Sequence, residues 1–535
     1  MKLIATASAE KLRGGFYTPE PIAEFILRWG INGSKDFDIL EPSCGDGVFL
    51  EQLSKHNLQY KSITAIELDE EEAAKAERIN LKNGQIINAD FHTYCNNTLQ
   101  RFDLIIGNPP YIRYQFFDKQ QQIEAGDIFI KAGLTYSKLT NAWVSFVIGS
   151  SLLLKENGKI GFVLPAEILQ VSFAQQLRNF LAKFYNKINI ISFEKLVFPN
   201  IQQEVVLLLC EKNESQNHNI EHLELRDASG LAKLDVEVLK SPKKKIDFKS
   251  NKWTFYFLDQ EEIDFLESIS KNRDIPTMGK FANIEVGITT GSNDFFTVPL
   301  TTIEEYELKD YAKPMVGRSV QVNSVIFTEN DWETNKHSKA KAHLLVFPDS
   351  KDSIKSMGAA KYIEYGESLG IHKGYKTGIR NDWFVVPSLK ISDALFIRRN
   401  NLYPRLIINE AKAYTTDTMH RVFIKPDVDI KALTASYYNS LSFAFTEVSG
   451  RSHGGGVLEL MPNEAERVLL PYHNDNSILL SEIDTLIRNK TNIEDVLKIT
   501  NQIILKEHFG LTNREVKLSH SIWKKLSSRR LNRGK

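Results

Sequence analysis

Short apolar segments alternate with amphipathic ones through the first 210 residues, and this alternation constrains the fold more than any other feature. Several of these segments are apolar along their whole length, as in strands that are buried on both faces of a sheet. We predict strands near residues 38–41, 62–66, 85–89, 102–106, 160–164, 188–193 and 204–210. The expected fold is α/β, a doubly wound, mostly parallel, seven-stranded sheet with helices on both faces.

The segments between these strands predict helices and one loop. Apolar residues from Ile22 to Trp29 recur at helical spacing, which indicates a helix over about 19–30 with Thr18 as its cap. Residues 112–128, which are rich in Gln and in charge, are expected to form a mobile loop. One long helix, roughly Ile128 to Leu154, is expected to follow.

Beyond residue 210 the pattern changes. Residues 211–250 lose the apolar periodicity and indicate a domain boundary, after which short β-like runs and glycine-rich turns dominate to about 475. Two domains are therefore expected, at 1–245 and 246–535, the second being mixed α+β with a helical end and a basic C-terminal tail. The tail is either solvated or in contact with phosphate. Its basic residues are Lys524, Lys525, Arg529, Arg530, Arg533 and Lys535.

Four polar side chains fall where predicted strands end, namely Glu41, Glu67, Asp90 and Asn108. The carboxyl ends of parallel strands share one edge of a sheet, where ligands of such folds bind. After Glu41 comes a glycine-rich turn, Gly45-Asp46-Gly47, whose backbone can approach a ligand closely. This pattern favours a nucleotide-like ligand, with Glu67 accepting from ribose hydroxyls and Asp90 from an adenine amino group. Helix capping is the alternative role for both acids.

The sequence Asn108-Pro109-Pro110-Tyr111 points to a second ligand. The side-chain oxygen of Asn108 and the carbonyl of Pro109 accept hydrogen bonds, whereas prolines fix φ and donate none. Tyr111 offers a flat face on which a planar ring can stack. We expect a rigid, acceptor-only pocket for an amino group; a proline turn that caps a strand is the plainer alternative.

Composition excludes several classes of protein. The chain has 67 basic and 67 acidic side chains, so it is no simple polycationic DNA binder. No apolar run approaches the roughly 18 residues of a membrane span, and the N-terminus lacks the apolar core of a signal peptide, so we expect a cytoplasmic protein. Cys44, Cys95 and Cys210 lie far apart without metal-ligand spacing, which predicts reduced thiols and no metal.

The motifs of the first half form an ordered set that covers nearly all of residues 14–212: FYTP, LEPSCGDG, AIELD, NADF, IIGNPPY, GFVLP and VFPNIQQEVVLLL. In this order they resemble the gamma-class, TaqI-like adenine-N6 DNA methyltransferases of type II restriction–modification systems. The second half is similar to that family at Gly287–Phe296 and in the stretches that begin at Tyr375 and Gly450. The resemblance implies a class I S-adenosylmethionine-dependent methyltransferase domain followed by a DNA target-recognition domain, in a bacterial or archaeal host.

The resemblance also implies roles for individual residues. Those that would bind S-adenosylmethionine are Thr18 and Glu41 at its methionine part, Cys44 and Gly45 in the turn, Glu67 at the ribose, Asp90 and Phe91 at the adenine, and Phe146 on the long helix. The catalytic set would be Asn108, Pro109, Pro110 and Tyr111, with Phe198 facing the other side of a flipped base. Hydrogen bonds from the adenine amino group to Asn108 and Pro109 would aim its nitrogen lone pair at the sulfonium methyl. Direct displacement of this kind needs no metal and no covalent intermediate.

The expected partner is double-stranded DNA, with no membrane contact, for a monomer that works beside a separate cognate restriction endonuclease. Loops of the second half would read the bases. Candidate readers are Lys373, Lys376, Arg380, Arg398, Arg399, Arg451 and His453. The alternatives are methylation of cytosine N4, of an RNA base or of a protein glutamine, a fused restriction–modification enzyme, and a DNA-binding subunit without catalysis.

Overall fold

The computed structural model describes residues 17–137, 140–198, 203–214, 217–234, 243–246, 252–272, 274–453 and 455–532. The chain divides into two compact units, Met1–Ile263 with Asn532–Lys535, and Asp264–Leu531. Within the described ranges, no helix combines the length and the apolar character that crossing a membrane requires.

The first unit is built on a nine-stranded sheet with the strand order β3-β2-β1-β4-β5-β7-β6-β8-β9. The strands are β1 Asp38–Glu41, β2 Ser62–Glu67, β3 Gly84–Asn88, β4 Phe102–Gly107, β5 Leu154–Pro165, β6 Lys187–Phe193, β7 Val205–Glu211, β8 Asn219–Leu225 and β9 Lys244–Lys245. Strands β1 to β5 pair in parallel, whereas β7 lies antiparallel between β5 and β6. The expected mostly parallel α/β sheet is confirmed.

The sheet extends beyond the seven strands that the sequence predicts. Strand β8 pairs in parallel with β6 along its whole length, and β9 pairs antiparallel with β8. Both strands lie inside 211–250, which was expected to be a domain boundary and for which no strand was predicted. That prediction was wrong because β8 carries polar residues such as Glu221 and Glu224, and its pairing depends on backbone hydrogen bonds rather than on a continuous apolar run.

Helices flank this sheet: α1 Glu20–Ile31, α2 Val48–Lys55, α3 Glu70–Ala76, α4 Phe91–Asn97, α5 Lys119–Lys131, α6 Ala142–Leu152 and α7 Gln175–Phe184. Helix α1 confirms the helix predicted over 19–30. Its N-cap, however, is Pro19, and no side chain caps it. The predicted cap, Thr18, is buried instead, with 5% of its surface exposed.

The connection between β4 and β5 differs most from expectation. In place of a loop over 112–128 and one helix over 128–154, the chain forms α5 and α6. A capping box begins α5, where the Asp118 carboxylate accepts from the Gln121 amide nitrogen at 2.8 Å. The helix ends near Gly133, whose φ is 70°. Strand β5 then begins at Leu154, the residue at which the long helix was expected to end.

Strand β1 lies where the strand order reverses, with β2 on one side and β4 on the other. Its apolar residue Ile39 packs with Phe25 and Ile26 of α1 and with Leu104 of β4 in one buried cluster. At such a reversal the connections leave the sheet in opposite directions, which opens a crevice at the carboxyl ends of the strands. The fold thus places a ligand site beyond Glu41, the last residue of β1.

Among the described residues, the second unit has two mixed sheets, with the orders β10-β19-β15-β17-β13 and β11-β14-β12-β18, and one antiparallel sheet, β16-β21-β20. Their strands are β10 Ala282–Val286, β11 Thr297–Val298, β12 Ala312–Val316, β13 Ile326–Phe327, β14 His343–Leu345, β15 Ala394–Ile397, β16 Arg399–Asn400, β17 Leu406–Asn409, β18 Tyr414–Thr415, β19 Met419–Ile424, β20 Arg451–His453 and β21 Val457–Glu459. Helix α8 Gln260–Asn272 crosses the division between the units. The helices that follow are α9 Asn293–Phe296, α10 Leu300–Glu305, α11 Glu329–His337, α12 Met357–Ser368, α13 Tyr375–Gly378, α14 Ile430–Tyr437, α15 Ser440–Ser449, α16 Pro462–Ala465, α17 Leu480–Arg488, α18 Ile493–Thr500 and α19 Asn513–Asn532.

The basic segment near the C-terminus is a packed helix, α19, up to Asn532. Its Arg530 side chain is 1% exposed and forms an ion pair with buried Glu447 at 2.7 Å. Lys524 forms a second ion pair, with Glu494. The expectation of a basic tail was therefore wrong for this stretch, because partners far away in the sequence neutralise these charges. Arg533 and Lys535 lie outside the described residues.

Candidate active site

A cavity of about 600 Å³ opens at the carboxyl ends of the central strands of the first unit. The sequence-predicted site residues that line it are Thr18, Glu41, Cys44, Gly45, Glu67, Asp90, Phe91, Asn108, Pro110 and Phe146. The strand ends and the turn after β1 thus converge, as expected from the parallel sheet. Pro109, Tyr111 and Phe198 are not among the lining residues.

Glu41 is the most unusual group in the cavity. Its side chain is almost fully buried, with 1% exposed, and its Oε2 atom accepts no hydrogen bond from the described residues. Burial, together with the nearby Glu67 and Asp46 carboxylates, raises the pKa of Glu41 well above its ordinary value. A buried carboxylate oxygen without a partner is costly, and it suits a cationic or hydrogen-donating group of a ligand.

The turn after β1 is shaped by two glycines and held by Glu67. Gly45 and Gly47 have φ values of 53° and 97°, and a Cβ on Gly47 would lie 2.4 Å from the Ile79 side chain. The Glu67 carboxylate accepts from the Gly45 and Asp69 amide nitrogens, each at 2.8 Å. Burial raises the pKa of Glu67. Each Glu67 oxygen therefore accepts one hydrogen bond from the backbone and can accept a second one from a ligand.

Cys44 belongs to this turn but shows no sign of reactivity. Its side chain is 4% exposed, and its amide nitrogen donates to the Ile66 carbonyl at 2.9 Å. Burial and the nearby Glu41 carboxylate raise the pKa of the thiol. A thiol of this kind lines the site without serving as a nucleophile.

Asp90 caps α4 and also faces the cavity. Its carboxylate accepts from the amide nitrogens of His92 at 2.7 Å and Thr93 at 3.2 Å, and from the side-chain amide of Gln121 at 2.9 Å. Burial by itself would raise the pKa of Asp90. Hydrogen bonds from His92 and Gln121 together have the larger effect and lower the pKa to about 2. Asp90 is therefore an ionised acceptor whose orientation is fixed by three neighbours, so capping and ligand binding are compatible roles.

An aromatic pair forms the apolar side of the cavity. The rings of Phe91 and Phe146 stack with centroids 4.8 Å apart and an interplanar angle of 27°. The two side chains are 2% and 6% exposed. The Phe146 ring also meets the edge of His92 at 5.0 Å. This arrangement offers a firm apolar face to a flat ring, next to the Asp90 acceptor.

The Asn108–Tyr111 segment follows β4 through Gly107, whose φ is 152°. Asn108 and Pro110 line the cavity, and the Asn108 carbonyl accepts from the Ser43 hydroxyl at 3.4 Å. Tyr111 instead packs against the core, with its hydroxyl donating to the Val163 carbonyl at 3.1 Å. Phe198 is 4% exposed and belongs to the same core cluster. The base-stacking roles of Tyr111 and Phe198 therefore stay predictions.

Several polar residues of the site were not predicted, and Gln121 and His92 are the two that contact Asp90. Gln121 of α5 lines the cavity and bonds Asp90, although the segment was expected to be a loop. His92 is 1% exposed and lies between Asp90 and the Ser145 hydroxyl, 2.8 Å from its Nε2 atom. The spacing Asp118-x-x-Gln121 was a readable sign of a helix start. No sequence signal marked His92.

The chemistry of the cavity fits S-adenosylmethionine. The unpartnered Glu41 oxygen suits an ammonium group, Glu67 and Asp90 are acceptors for hydroxyl and amino donors, and the Phe91–Phe146 pair suits an aromatic ring. In the described residues, the group of three potential metal ligands is His473, Asp475 and His508, which lie in the second unit. The sheet, with antiparallel β7, and the acidic strand ends define a class I S-adenosylmethionine-dependent methyltransferase.

Comparison with known families identifies the chain more closely. Residues 35–198 match the family model for the Eco57I restriction-modification methylase, and residues 250–505 match that for the C-terminal domain of the type II methyltransferase M.Eco57I. The chain belongs to this family of type II DNA methyltransferases of restriction–modification systems. The type II restriction–modification methyltransferase expected from the sequence motifs is thereby confirmed, with DNA as the partner.

Individual relatives are similar over different lengths. The type II methyltransferase M.AccI of Acinetobacter calcoaceticus is 25% identical over 519 residues, 92% of this chain and 93% of that protein. M.HincII of Haemophilus influenzae is 30% identical over 227 residues, 42% of each chain. Among solved structures, the cryo-electron microscopy structure of the DrdV–DNA complex covers 89% of this chain and 57% of that chain, at 13% identity and a TM-score of 0.49.

Proposed function

We propose that this protein transfers a methyl group from S-adenosylmethionine to N6 of an adenine flipped out of double-stranded DNA. The observation that carries the proposal is that Asn108 and Pro110 line the same cavity as the buried acids Glu41, Glu67 and Asp90. One cavity thus combines acceptors for a cofactor with Asn108, an acceptor for an amino group. Adenine, rather than cytosine, is supported by the resemblance of the motifs to the gamma class.

On the cofactor side, each acid has a distinct role. Glu41 accepts from the ammonium group of the methionine part, Glu67 from the ribose hydroxyls, and Asp90 from the adenine amino group. Phe91 and Phe146 pack against the adenine ring, while Thr18, Cys44 and Gly45 line the remaining wall. When bound, S-adenosylmethionine supplies a methyl group on a positively charged sulfur.

On the base side, acceptors do the positioning. The adenine N6 lone pair is delocalised into the ring, which makes the nitrogen a poor nucleophile. Hydrogen bonds to the Asn108 side chain and the Pro109 carbonyl draw both N6 hydrogens aside and stabilise the positive charge that develops on the nitrogen. Flipping costs a few kcal/mol, which stacking on Tyr111 and Phe198 helps to offset once these side chains, packed in the core in this structure, turn towards the base.

Asn108→Ala tests the catalytic assignment. The variant should bind S-adenosylmethionine within about twofold of wild type, measured by calorimetry, and should lose at least about 100-fold in methyl incorporation into DNA. Asn330→Ala, at an exposed residue in the second unit, is the matched control. Unchanged methyl incorporation by Asn108→Ala would overturn the assignment of the site.

Mass spectrometry of hydrolysed DNA identifies the modified base. We expect N6-methyladenine in DNA from a host that expresses this chain, and N4-methylcytosine alone would overturn the adenine assignment. Methylated RNA or methylated protein with unmodified DNA would instead favour the alternative substrates. Methylation-sensitive sequencing of the same DNA gives the sequence context.

We further propose a division of labour in which residues 1–245 bind the cofactor and perform transfer while residues 246–535 recognise the DNA site. The two family models, one on each side of this boundary, support the division. Methylation by a monomer would then protect host DNA from a separate cognate endonuclease. Plasmid DNA from an expressing host should resist that endonuclease, and DNA from an Asn108→Ala host should be cut.

A further inference from the structure

A short helical turn in the second unit exposes two large apolar side chains. The segment 371–380, which we call the 371–380 turn, contains a 3-10 helix, Ile371–Lys373, and helix α13, whose C-cap is Ile379. Tyr375 is 85% exposed and Ile379 is 73% exposed. Residues four apart on a helical turn lie on the same face. Together they form one apolar tip that faces solvent.

The turn under this tip is firmly anchored. The Thr377 side chain is fully buried, and its hydroxyl donates to the Gly374 carbonyl at 3.1 Å. The Arg380 guanidinium donates to the Thr290 carbonyl at 2.8 Å. A Cβ on Gly291 would lie 2.9 Å from the Thr377 methyl group, so the two segments are closely packed. The tip is therefore exposed on a well-packed turn and not on a loosely packed loop.

Two exposed lysines flank the tip, between the acids Glu367 and Asp382 in the sequence. Residues 369–381 include Lys373, Lys376 and Arg380 but neither Asp nor Glu. Both lysines are exposed, and neither forms an ion pair with a residue that the structure describes. The Arg380 guanidinium donates hydrogen bonds to the Thr289 and Thr290 carbonyls, so Arg380 helps to fix the turn in place. The two lysines thus flank the apolar tip as cations available to a polyanion.

The other candidate base readers of this unit are already engaged in ion pairs. Arg398 and His453 each contact the Glu459 carboxylate at 2.9 Å, and Arg399 contacts it at 3.2 Å. Arg451 pairs with Glu464 at 3.1 Å. Releasing any of these to a phosphate or a base would leave a largely buried acid without its partner. Lys373 and Lys376, near Tyr375, can therefore bind a phosphate at a lower cost than these four residues can.

We propose that the 371–380 turn is a DNA-contacting element, in which Tyr375 and Ile379 press against bases while Lys373 and Lys376 bind the flanking phosphates. Aromatic side chains stack on bases of any sequence, and apolar side chains fill grooves or wedge between base steps. A tip of two side chains is small for a protein interface, which buries about 800 Å² on each partner. The proposal rests on the proposed function only in taking DNA as the substrate.

Fluorescence anisotropy with short duplexes tests the proposal, using one random sequence and one that contains the methylated site. Tyr375→Ala should weaken binding to both duplexes by about tenfold. Its salt dependence should stay as in wild type, because no phosphate contact is lost. The double variant Lys373→Gln/Lys376→Gln should instead reduce the slope of log affinity against log salt by about two.

Ile379→Ala should also weaken binding, whereas Ile478→Ala, a matched control at 74% exposure, should bind as wild type does. S-adenosylmethionine affinity should be unchanged in every variant, and far-ultraviolet circular dichroism and thermal unfolding like those of wild type should show that the second unit is folded in each. Affinities of Tyr375→Ala and Ile379→Ala equal to that of the Ile478→Ala control would overturn the proposal, even where DNA is methylated normally. Weakened DNA binding by these variants of a chain that methylates no DNA would support the element and overturn the proposed function.

Discussion

Replacing Glu41 with Gln should stabilise the cofactor-free protein and weaken S-adenosylmethionine binding at the same time. Glu41 is 1% exposed, and its Oε2 atom has no hydrogen-bond donor among the described residues. Burial and the Glu67 and Asp46 carboxylates raise its pKa. A neutral amide is cheaper to bury than a carboxylate, but it cannot attract an ammonium group as strongly.

The expected magnitudes follow from the missing partner. Gln leaves the same position without a partner but carries no charge, and burying the charged form costs about 1–3 kcal/mol more, so the variant should gain about that much in free energy of unfolding where Glu41 is ionised. For a unit of this size, each kcal/mol corresponds to about 2–4 °C in Tm. A hydrogen bond to a charged group contributes about 1.5–3 kcal/mol, so cofactor affinity should fall by roughly 10- to 150-fold.

The gain in stability should depend on pH. Folding raises the pKa of Glu41 above its ordinary value of 4.5, so the folded chain holds this proton more tightly than the unfolded chain does. The stability that this provides is fully present below pH 4.5 and is lost as the pH rises through the folded pKa. The side chain of the Glu41→Gln variant cannot ionise, so the variant does not lose this stability as the pH rises. Its advantage over wild type should therefore be small near pH 5 and larger near pH 8.

Thermal unfolding of the cofactor-free protein at about pH 5 and about pH 8, together with calorimetry of S-adenosylmethionine binding, measures both effects. Glu214→Gln, which removes an exposed carboxylate from the same unit, controls for the change in net charge. The reasoning fails if Glu41→Gln is less stable than wild type at the higher pH. It also fails if the variant binds the cofactor as tightly as wild type.

Two further substitutions test the aromatic wall and the C-terminal helix. Phe146→Leu removes the ring stacked on Phe91 and should cost roughly 1 kcal/mol of binding free energy, which weakens S-adenosylmethionine binding about fivefold. Calorimetry measures this affinity, and an unchanged value would argue against a contact between Phe146 and the cofactor. Arg530→Met leaves Glu447 buried without a partner and should lower the free energy of unfolding by about 3–5 kcal/mol in urea. Adding Glu447→Gln should restore most of that loss, and a double variant no more stable than Arg530→Met would contradict the explanation.

The sheet of the first unit and much of its site could be predicted because burial on both faces leaves a clear signal. A strand such as β4 is apolar along most of its length, and the first polar residue after it, Asn108, marks its carboxyl end. The topology then brings such ends together without further information. Strand β8 gave no such signal because most of its residues are only half-buried, so polar side chains are tolerated there.

The helices between β4 and β5 were harder to predict. The apolar residues of α5 and α6 continue one another in sequence, and the break between them depends on a turn near Gly133 and on the cap at Asn141. Gln121 was missed with them, because its role depends on α5 reaching Asp90, 31 residues away. Contacts of this kind are set by packing and leave no local pattern.

The cationic residues of the second unit also have contacts that the sequence could not predict. Sequence can place Arg398, Arg399 and His453 on loops and strand ends, but it cannot show that all three converge on Glu459, some 60 residues from the arginines. An ion pair needs only one distant acid, so a charge alone does not mark a binding surface. A large apolar side chain that stays exposed on an anchored turn, such as Tyr375, has no comparable internal explanation. In this unit, exposed apolar side chains beside unpaired lysines are therefore the better guide to the surface that meets DNA.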